Sequence, residues 1–504
     1  MMRIAPVWSD ALPPAFPRLE RSMRCDVAIV GGGLAGLSAA YHLLMRRPGA
    51  KVVVLEASRV GAGASGRSTG MLGPGVGQSL PALVKSRGAE VATALYRATL
   101  QAVDDVEALV KAERIECELV RGGQLVVGRS GSEGRLAELA STLSALGLPG
   151  QVLDAAQLSL RIRLTQATGA VLIPDAATLH PGKLLAALAA RVVALGGEIF
   201  EGARVESISH DSPVRLSVHP EGISVHPESS SVHPESSSVH PEGISVHPES
   251  SSVHPESISV HPESISVHPE SISVHPESSR GMSRPGAASP LGFSRDAPGP
   301  TEVLADQVVL ATAGYTSNLK VLHGRILPVH LQVLVTDPVN LDALGWKNRE
   351  GVLDARRVFN YFRLTSDNRI VFGGGAPRYQ WGGSLTDNAD APLRALEREL
   401  HATFPTKLKV AGGWTGVIGY VADALPAISR WSQNPAVIHA VGWCGHGVAL
   451  SIASGAWVTR LLCDQTAEED LPWYRPDPPR VPFEAARWLG FNATVAAMGM
   501  LDHL

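Results

Sequence analysis

A short glycine-rich turn near the start of the chain constrains the fold more than any other segment. The apolar run Asp26–Val30 predicts a strand, and Leu34–Leu44 predicts a helix directly behind it. Between them lies the turn Gly31-Gly-Gly33-Leu-Ala-Gly36. Gly31 permits a tight turn, Gly33 lets the backbone approach a pyrophosphate, and Gly36 lets helix and strand pack closely. The free amides and the dipole of the helix N-terminus would then hold the phosphates.

A second strand, Lys51–Leu55, completes a strand–helix–strand unit of a parallel sheet. Glu56 follows this strand directly, 25 residues after Gly31. A carboxylate in this place accepts hydrogen bonds from ribose hydroxyls and would repel a 2′-phosphate, which disfavours NADP. The complete unit predicts dinucleotide binding, and the alternative is a glycine-rich turn without a ligand.

A glycine- and serine-rich loop follows the second strand: Ser58-Arg-Val-Gly-Ala-Gly-Ala-Ser65-Gly66-Arg67-Ser68-Thr-Gly70. Its amides and hydroxyls suit the far side of a diphosphate, and Arg67 would add positive charge. An NAD-binding fold has no need of such a loop here, whereas the longer FAD molecule, which reaches from adenine to a buried isoalloxazine, does. A flexible surface loop is the alternative interpretation.

A third motif, Gly442-Trp-Cys-Gly445-His446-Gly447, precedes a helical stretch at 449–462. A helix N-terminus directed at a flavin would stabilise negative charge on the N1–C2=O edge of the ring. His446 would add a hydrogen bond there. Taken alone, a histidine in this place is more often structural.

Residues 217–279 consist of nine in-register copies of the unit Ser-Val-His-Pro-Glu-x-x. Each copy carries proline, which breaks helices, so the seven-residue period does not indicate a coiled coil. The density of Pro, Ser and Glu predicts a solvated segment, and we expect one disordered insertion over 212–300. Adjacent repeat histidines lie roughly 20 Å apart in an extended chain, which favours a neutral expansion over metal binding. We expect no metal site.

The insertion interrupts sequence typical of strands, at 197–208 before it and at 302–311 after it. It therefore falls at a hairpin tip, where added length costs little free energy. Omitting the nine glutamates of the repeat from the 48 acidic residues leaves 39 against 44 basic ones. The resulting net charge of +5 is too weak to indicate a nucleic-acid partner.

The four cysteines are scattered and form no CxxC pair, so neither a zinc site nor a disulfide framework is indicated. This pattern favours a reducing, cytoplasmic location. The N-terminal residues lack the apolar core of a signal peptide, and no uninterrupted apolar run reaches the length of about eighteen residues that a membrane-spanning helix needs.

We expect an α/β fold, with a Rossmann-like FAD-binding domain and a second, α+β substrate domain built on an antiparallel sheet. Strand-like runs at 116–128 and 325–375, with few helical stretches, predict the antiparallel sheet. The predicted segments are an N-terminal lead at 1–24, FAD-binding segments at 25–110, 165–211, 301–320 and 411–465, substrate-domain segments at 111–164 and 321–410, and a tail at 466–504. Apolar residues at helical spacing in the tail predict a helix docked on the protein's own core.

The three motifs, in this order and at these distances, resemble the D-amino-acid-oxidase-type superfamily of FAD-dependent oxidoreductases. The run from Leu55 to Arg67 is most similar to the gamma-glutamylputrescine oxidase branch, which stands beside glycine and sarcosine oxidases. The N-terminal lead, with Trp8 and Pro17, is also similar. The likeness extends over nearly the whole chain apart from the repeat.

The resemblance implies FAD contacts along all three motifs, a backbone contact to adenine at Val205, and a position beside the cofactor at Ala313. Some relatives tether the flavin through a cysteine, but the matching stretch Trp414–Asp423 has none, so non-covalent FAD is implied. Cys444 matches the family's Ser-Gly-His-Gly motif and not the tether. The complete implied set is Gly31, Gly33, Leu34, Ala35, Gly36, Glu56, Ala57, Ser65, Gly66, Arg67, Ser68, Val205, Ala313, Gly445, His446 and Gly447.

The resemblance further implies oxidation of a carbon–nitrogen bond in a small amine or amino acid. A hydride passes to flavin N5, the imine product hydrolyses, and molecular oxygen yields hydrogen peroxide. A dehydrogenase of the same fold that uses a quinone or protein carrier is one alternative, and a non-catalytic FAD-binding protein is another. The second and third motifs disfavour an NAD-dependent dehydrogenase.

Candidate catalytic residues lie on the predicted strands of the second domain: His330, Tyr361 and Arg363. Hydride transfer from a neutral amine needs positioning more than a strong acid or base. Tyr361 or Arg363 would hold a substrate carboxylate. Alternatively, His330 is a core histidine and Arg363 a surface partner.

Overall fold

Two large sheets organise the part of the chain that the computed structural model describes, which is residues 2–220, 301–319, 321–386, 389–464 and 472–502. The strands in these ranges are β1 (Met23–Val30), β2 (Val52–Leu55), β3 (Met71–Leu72), β4 (Gln124–Arg129), β5 (Gln151–Asp154), β6 (Ala167–Ile173), β7 (Ala177–Thr178), β8 (Glu198–Phe200), β9 (Ala203–Ile208), β10 (Val214–Pro220), β11 (Thr301–Leu310), β12 (Leu327–Thr336), β13 (Gly351–Asp354), β14 (Tyr361–Leu364), β15 (Ile370–Tyr379), β16 (Val410–Tyr420), β17 (Ala427–Trp431) and β18 (Asn434–Val441).

Helices cover these sheets and carry the longer crossovers. They are α1 (Leu34–Arg46), α2 (Leu80–Arg87), α3 (Ala89–Ala112), α4 (Glu133–Ala145), α5 (Ala155–Ser159), α6 (Pro181–Ala194), α7 (Leu341–Leu344), α8 (Asp390–Thr403), α9 (Gly447–Leu462) and α10 (Glu484–Leu501). Short 3-10 helices lie at Ser9–Ala11, Ala64–Arg67, Ala313–Leu319 and Trp381–Gly383.

The first sheet has β1 near its centre, in the order β17-β18-β11-β1-β2-β8, with β10 and β9 added on the side of β11. The strands β18, β11, β1, β2 and β8 run parallel to one another, with Val27 opposite Val52 and Val30 opposite Leu310. Strands β17 and β10 are antiparallel to their neighbours β18 and β11. All four residues from Val27 to Val30 are buried, because elements cover both faces of this strand. Val27 and Ile29 join a core formed with α1, α6 and α9, while Ala28 and Val30 join a second core that includes β10.

The second sheet has the order β16-β12-β15-β14-β13-β4-β6-β5 and is antiparallel except for the pair β13–β4. One face is sealed by α8, and the rings of Phe362 and Phe372 stack there at 5.3 Å. On the opposite face Val333 and Val335 pack with Trp414 and with Trp8 of the N-terminal lead. This opposite face meets the glycine-rich loop that follows β2, because side chains of Arg363 and Trp414 donate hydrogen bonds to its backbone.

The expected α/β class and the two kinds of sheet are confirmed, but two strands belong to a different sheet from the one expected. The strands β6 and β16 fall in segments assigned to the FAD-binding domain, 165–211 and 411–465, yet both pair in the second sheet. Each is held there by a long antiparallel partner, β4 for β6 and β12 for β16. The division of the chain into domain segments stays a prediction.

Part of the segment expected to be a disordered insertion, 212–300, is a strand. Residues 214–220 form β10, whose alternate residues Val214, Leu216 and Val218 are buried. This strand pairs antiparallel with β9 on one side and with β11 on the other, with Val218 opposite Thr301. The first repeat copy therefore contributes a strand, because its valine continues the apolar alternation. Residues 221–300 lie outside the described part of the chain.

The C-terminal helix α10 docks on the second sheet, as expected, through Phe491, whose ring lies 5.5 Å from that of Tyr420. Beyond the helix, the carboxylate of Asp502 accepts hydrogen bonds from the Arg357 and Val358 amides at 2.8 Å. No helix in the described ranges combines the length and apolarity that crossing a membrane would need.

Deleting residues 224–279 removes eight repeat copies and keeps β10 and β11 intact. We expect FAD content and turnover to change by less than about twofold, because lengthening or shortening a hairpin connection alters folding free energy little. Absorbance at the flavin band and a steady-state assay measure both. Leu216→Asp, which buries a charge in β10, is the contrasting variant and should unfold the protein. Loss of bound FAD in the deletion variant would contradict the neutral role of the repeat.

Candidate active site

The turn between β1 and α1 has room for backbone only. Gly31 has a φ of +109°, and a Cβ atom there would lie 2.6 Å from the carbonyl oxygen of Ala311. A Cβ at Gly36 would lie 2.0 Å from the carbonyl oxygen of Gly31. These distances are shorter than any side chain tolerates, so the two glycines perform the roles that their spacing predicted.

The N-terminus of α1 has free backbone amides that can bind an anion. Its N-cap is Gly33, which supplies no side chain to the free amides, and the first turn of the helix holds no acidic residue. The Leu34 amide donates a hydrogen bond to Ser65 Oγ at 3.0 Å, so Ser65 of the following loop sits at the mouth of this site. Amides, helix dipole and hydroxyl together suit a diphosphate.

Glu56 lies beside this turn, at the end of β2. Its carboxylate accepts hydrogen bonds from the Gly32 amide at 2.7 Å and from the Ser58 amide at 3.0 Å. Burial raises the pKa of Glu56 above its ordinary value, while the two amides oppose that rise. The neighbouring Ala57 completes the turn, and the Ala203 amide donates to the Glu56 carbonyl, which brings β9 and Val205 to this end of the site.

The glycine-rich loop folds back on itself through a 3-10 turn at Ala64–Arg67. A Cβ atom at Gly66 would lie 2.2 Å from the Gly61 carbonyl oxygen, so this position also admits backbone only. The Arg67 guanidinium donates to the carbonyls of Ala62 at 2.8 Å and Thr415 at 2.9 Å. Ser68 Oγ donates to the Ser65 carbonyl at 3.2 Å, which closes the loop.

The third motif forms a strained turn before α9. Gly442, Cys444 and Gly445 all have positive φ values, of +78°, +49° and +90°. Gly447 opens α9, and His446 at its N-cap provides no side-chain hydrogen bond to the helix. The Nδ1 atom of His446 is buried without a hydrogen-bond partner among the described residues, and burial lowers the pKa of this histidine. A half-buried imidazole whose Nδ1 atom has no partner there, beside the free amides of a helix, fits a bound polar ring.

Cys444 of this turn is a buried thiol and not a reactive thiolate. Its Sγ atom accepts from the Val421 amide at 3.4 Å and donates to the Gly442 carbonyl at 3.1 Å. Burial raises the pKa of the Cys444 thiol to about 12. Because the thiolate is the nucleophile, this environment is consistent with FAD that is not attached through Cys444.

Of the remaining predicted FAD contacts, Ala313 has a φ of +46° and opens the 3-10 turn that follows β11. It lies two residues after Ala311, the residue that approaches Gly31. We call the β1–α1 turn, Glu56, the glycine-rich loop and Ala313 together the cradle. It takes residues from both neighbours of β1, since Glu56 follows β2 and Ala313 follows β11.

Tyr361 and Arg363 share one face of β14, because side chains two residues apart point the same way. The Tyr361 ring covers Gly373, where a Cβ atom would lie 2.5 Å from two ring carbons. Burial raises the pKa of Tyr361 to about 12, so its phenol stays protonated. This face meets the glycine-rich loop, since Arg363 Nε donates to the Thr69 carbonyl at 2.5 Å.

Arg363 is buried and donates to two further carbonyls, those of Leu179 at 2.6 Å and Leu364 at 2.9 Å. It is therefore neither a surface partner nor directed at a carboxylate here. His330 is fully buried on β12, and its Nε2 atom lies 2.8 Å from the Ser384 carbonyl oxygen. The structure thus brings Arg363 to the loop and places Tyr361 on the same face of β14. His330 instead contacts the backbone at Ser384.

Sequence reasoning missed Glu201, a buried carboxylate behind the glycine-rich loop. It accepts hydrogen bonds from the Val60 amide at 2.8 Å and the Phe16 amide at 3.1 Å. Its signal in the sequence was an acidic residue at the end of strand-like sequence, in the same position relative to β8 as Glu56 relative to β2. It fixes the start of the loop that Ser65 and Arg67 complete.

A parallel sheet with a backbone-only turn, a carboxylate after its second strand, and an antiparallel sheet facing that turn define an FAD-binding oxidoreductase fold. The family model described as "FAD dependent oxidoreductase" (DAO) matches residues 26–227 and 286–461, and the chain belongs to this family. FAD is thus the cofactor, and the cradle described above fits it.

Curated relatives match along most of the chain. Gamma-glutamylputrescine oxidoreductase of Escherichia coli (strain K12) is 27% identical over 487 residues, which cover 93% of this chain and 92% of that protein. The probable oxidoreductase OrdL of Haemophilus influenzae is 24% identical over 458 residues, covering 89% and 85%.

Solved structures share the fold. Glycine oxidase from Geobacillus kaustophilus superimposes with a TM-score of 0.61 at 20% identity, covering 88% of this chain and 96% of that one. L-Proline dehydrogenase from P. horikoshii gives a TM-score of 0.60 at 16% identity, covering 92% and 98%.

Glu56→Gln tests the adenosine end of the cradle. An amide side chain offers one acceptor oxygen to the two amides and no charge to ribose hydroxyls, so we expect FAD affinity to fall about tenfold. Fluorescence titration of apoprotein with FAD measures this, with exposed Glu206→Gln as control. Because protonation removes the same charge, wild-type affinity should fall as pH drops through the raised pKa of Glu56, and the variant should lack that dependence. Unchanged affinity would mean that Glu56 does not face the cofactor.

Proposed function

We propose that the chain oxidises the carbon–nitrogen bond of a small amine or amino acid and that molecular oxygen is the final electron acceptor. The observation that carries the proposal is that the Tyr361 face of the second sheet meets the loop of the FAD cradle. The relatives support it by name, since gamma-glutamylputrescine, glycine and proline are all amines or amino acids. FAD, when bound, supplies the hydride acceptor.

The reaction site lies along the loop that continues from Gly70. Gln124 of β4 covers Gly73, where a Cβ atom would lie 2.2 Å from Gln124 Oε1. Two residues on, a Cβ at Gly75 would lie 3.7 Å from His446 Nε2. The loop is thus lined by the second sheet on one side and by the N-terminus of α9 on the other. A substrate held between them would be screened from water, which favours hydride transfer.

We assign substrate contact to Tyr361 and cofactor contact to His446. The Tyr361 phenol, protonated throughout the neutral pH range, is a hydrogen-bond donor that can orient a polar group of the substrate. The His446 imidazole, kept neutral by burial, has its Nδ1 atom available for the flavin. Arg363 holds three carbonyls and is not assigned to the substrate. A catalytic role for His330, non-covalent attachment of FAD and a cytoplasmic location stay predictions.

The direct test is anaerobic loss of flavin absorbance on mixing the purified protein with candidate substrates. Polyamines, their gamma-glutamyl derivatives, sarcosine, glycine and D-amino acids form the set. We expect at least one to bleach the flavin, and oxygen to restore its colour with one hydrogen peroxide per turnover. Bleaching without peroxide would identify a dehydrogenase, and no bleaching by any amine would indicate a non-catalytic FAD protein. Acid precipitation should release intact FAD into the supernatant.

Tyr361→Phe tests the assigned substrate contact. Removing one hydrogen-bond donor to the substrate should raise KM about fivefold to tenfold, with a smaller effect on kcat, since orientation and binding are weakened. The pH profile between about 6 and 9 should keep its shape, because the pKa of Tyr361 lies near 12. Phe359→Leu, at an exposed neighbouring ring, is the control. An unchanged KM in Tyr361→Phe would remove this residue from the substrate site.

A further inference from the structure

Three consecutive backbone carbonyls of the glycine-rich loop each accept a hydrogen bond from a buried side chain. Trp414 Nε1 donates to the Arg67 carbonyl at 3.0 Å, Trp8 Nε1 to the Ser68 carbonyl at 2.7 Å, and Arg363 Nε to the Thr69 carbonyl at 2.5 Å. All three donors are 2% exposed. We call this arrangement the carbonyl clamp.

The three donors come from separate parts of the chain and support one another. Trp8 belongs to the N-terminal lead, Arg363 to β14 and Trp414 to β16. The Arg363 guanidinium lies 4.9 Å from the centroid of the Trp8 ring, in a cation–π contact. Trp8 and Trp414 belong to one apolar cluster. An arginine held by three carbonyls and packed on the Trp8 ring has little freedom left to lose, so the clamp is pre-organised.

The clamp grips the loop where it leaves the cradle. Ser65 to Ser68 carry predicted FAD contacts, and the three held carbonyls begin within that run. The chain then turns at Gly70, whose φ is +74° and where a Cβ atom would lie 2.2 Å from the Leu179 carbonyl oxygen and 2.9 Å from Arg363 Nη2. Arg363 also donates to that Leu179 carbonyl. Gly70 therefore leaves room for backbone only at this point.

We propose that Trp8, Arg363 and Trp414 are positioning residues that hold the FAD loop in its binding conformation before the cofactor arrives. Ordering a loop on binding weakens affinity, and a loop ordered in advance avoids that loss. The proposal rests on the assignment of Ser65 to Ser68 as FAD contacts. It makes the N-terminal lead and the second sheet part of the cofactor site, although their clamp side chains reach FAD only through the loop.

The test is Trp8→Phe and Trp414→Phe in the full-length holoenzyme, since phenylalanine keeps a ring and removes only the N–H donor and some volume. Trp346→Phe and Trp473→Phe are matched controls. Both indoles are buried, at 1% and 2% exposure, and their Nε1 atoms make no hydrogen bond within the described ranges. Each substitution therefore removes similar apolar contact, and only the clamp variants lose a bond to the loop.

We expect each clamp variant to bind FAD about fivefold to tenfold more weakly, the effect of one lost hydrogen bond that leaves a buried carbonyl without a donor. The visible circular dichroism of bound flavin should also change, because the loop beside it relaxes. The controls should keep FAD affinity within about twofold, even where thermal stability falls. Arg363→Lys, which keeps the charge but has one nitrogen in place of the three that donate, should lie between wild type and Trp8→Phe.

Clamp variants that lose thermal stability like the controls but keep FAD affinity and the flavin spectrum would overturn the proposal, leaving these residues a packing role only. If Trp414→Phe fails to fold, Trp8→Phe decides, since Trp8 lies outside both sheets. The Glu56→Gln variant separates the two levels of inference. If Glu56→Gln loses FAD affinity and the clamp variants do not, the FAD site is retained and the clamp is rejected. If neither Glu56→Gln nor the clamp variants lose FAD affinity, the FAD site itself is rejected.

Discussion

A backbone approach closer than any side chain permits is the constraint on which the rest of the structure depends. The Gly31 amide donates to the Leu55 carbonyl at 2.9 Å, and the Ala311 amide donates to the Val30 carbonyl at the same distance. The turn is thereby tied to both neighbours of β1, and its glycines let α1 begin directly above the sheet edge. Everything else in the cradle is placed relative to that helix N-terminus, since free amides and dipole act over the first turn only.

The second sheet completes the site by holding the loop that leaves the cradle. Its face towards the cradle offers indole and guanidinium N–H groups, which meet loop carbonyls that would otherwise be buried without partners. These hydrogen bonds have two effects. The buried loop carbonyls gain donors away from water, and the second sheet is fixed relative to the loop. The proposed clamp would keep the loop ordered beside the cofactor, which suits a reaction controlled by orientation.

Burial sets the charge of the groups around the cofactor site. It raises the pKa of Tyr361 and lowers the pKa of His446, so both are neutral at physiological pH. Arg363 keeps its charge because carbonyl oxygens solvate it, although burial lowers its pKa to about 10. Neutral side chains at Tyr361 and His446, with the carboxylate of Glu56 held by two backbone amides at the end of β2, are consistent with the proposed oxidation of a neutral amine.

The sequence by itself determined the β1–α1–β2 unit, the roles of Gly31 and Gly36, and the place of Glu56. These depend on steric limits and apolar periodicity within about thirty residues, which act locally and leave a readable pattern. Only the tertiary structure decided that β6 and β16 join the second sheet, that the first repeat copy becomes part of β10, and that Arg363 binds carbonyls in place of a carboxylate. Arg363 and Thr69 are 294 residues apart, and Trp414 and Arg67 are 347 apart. Partners at such separations are chosen by packing and by the need to satisfy buried backbone groups, and neither leaves a local signature in the chain.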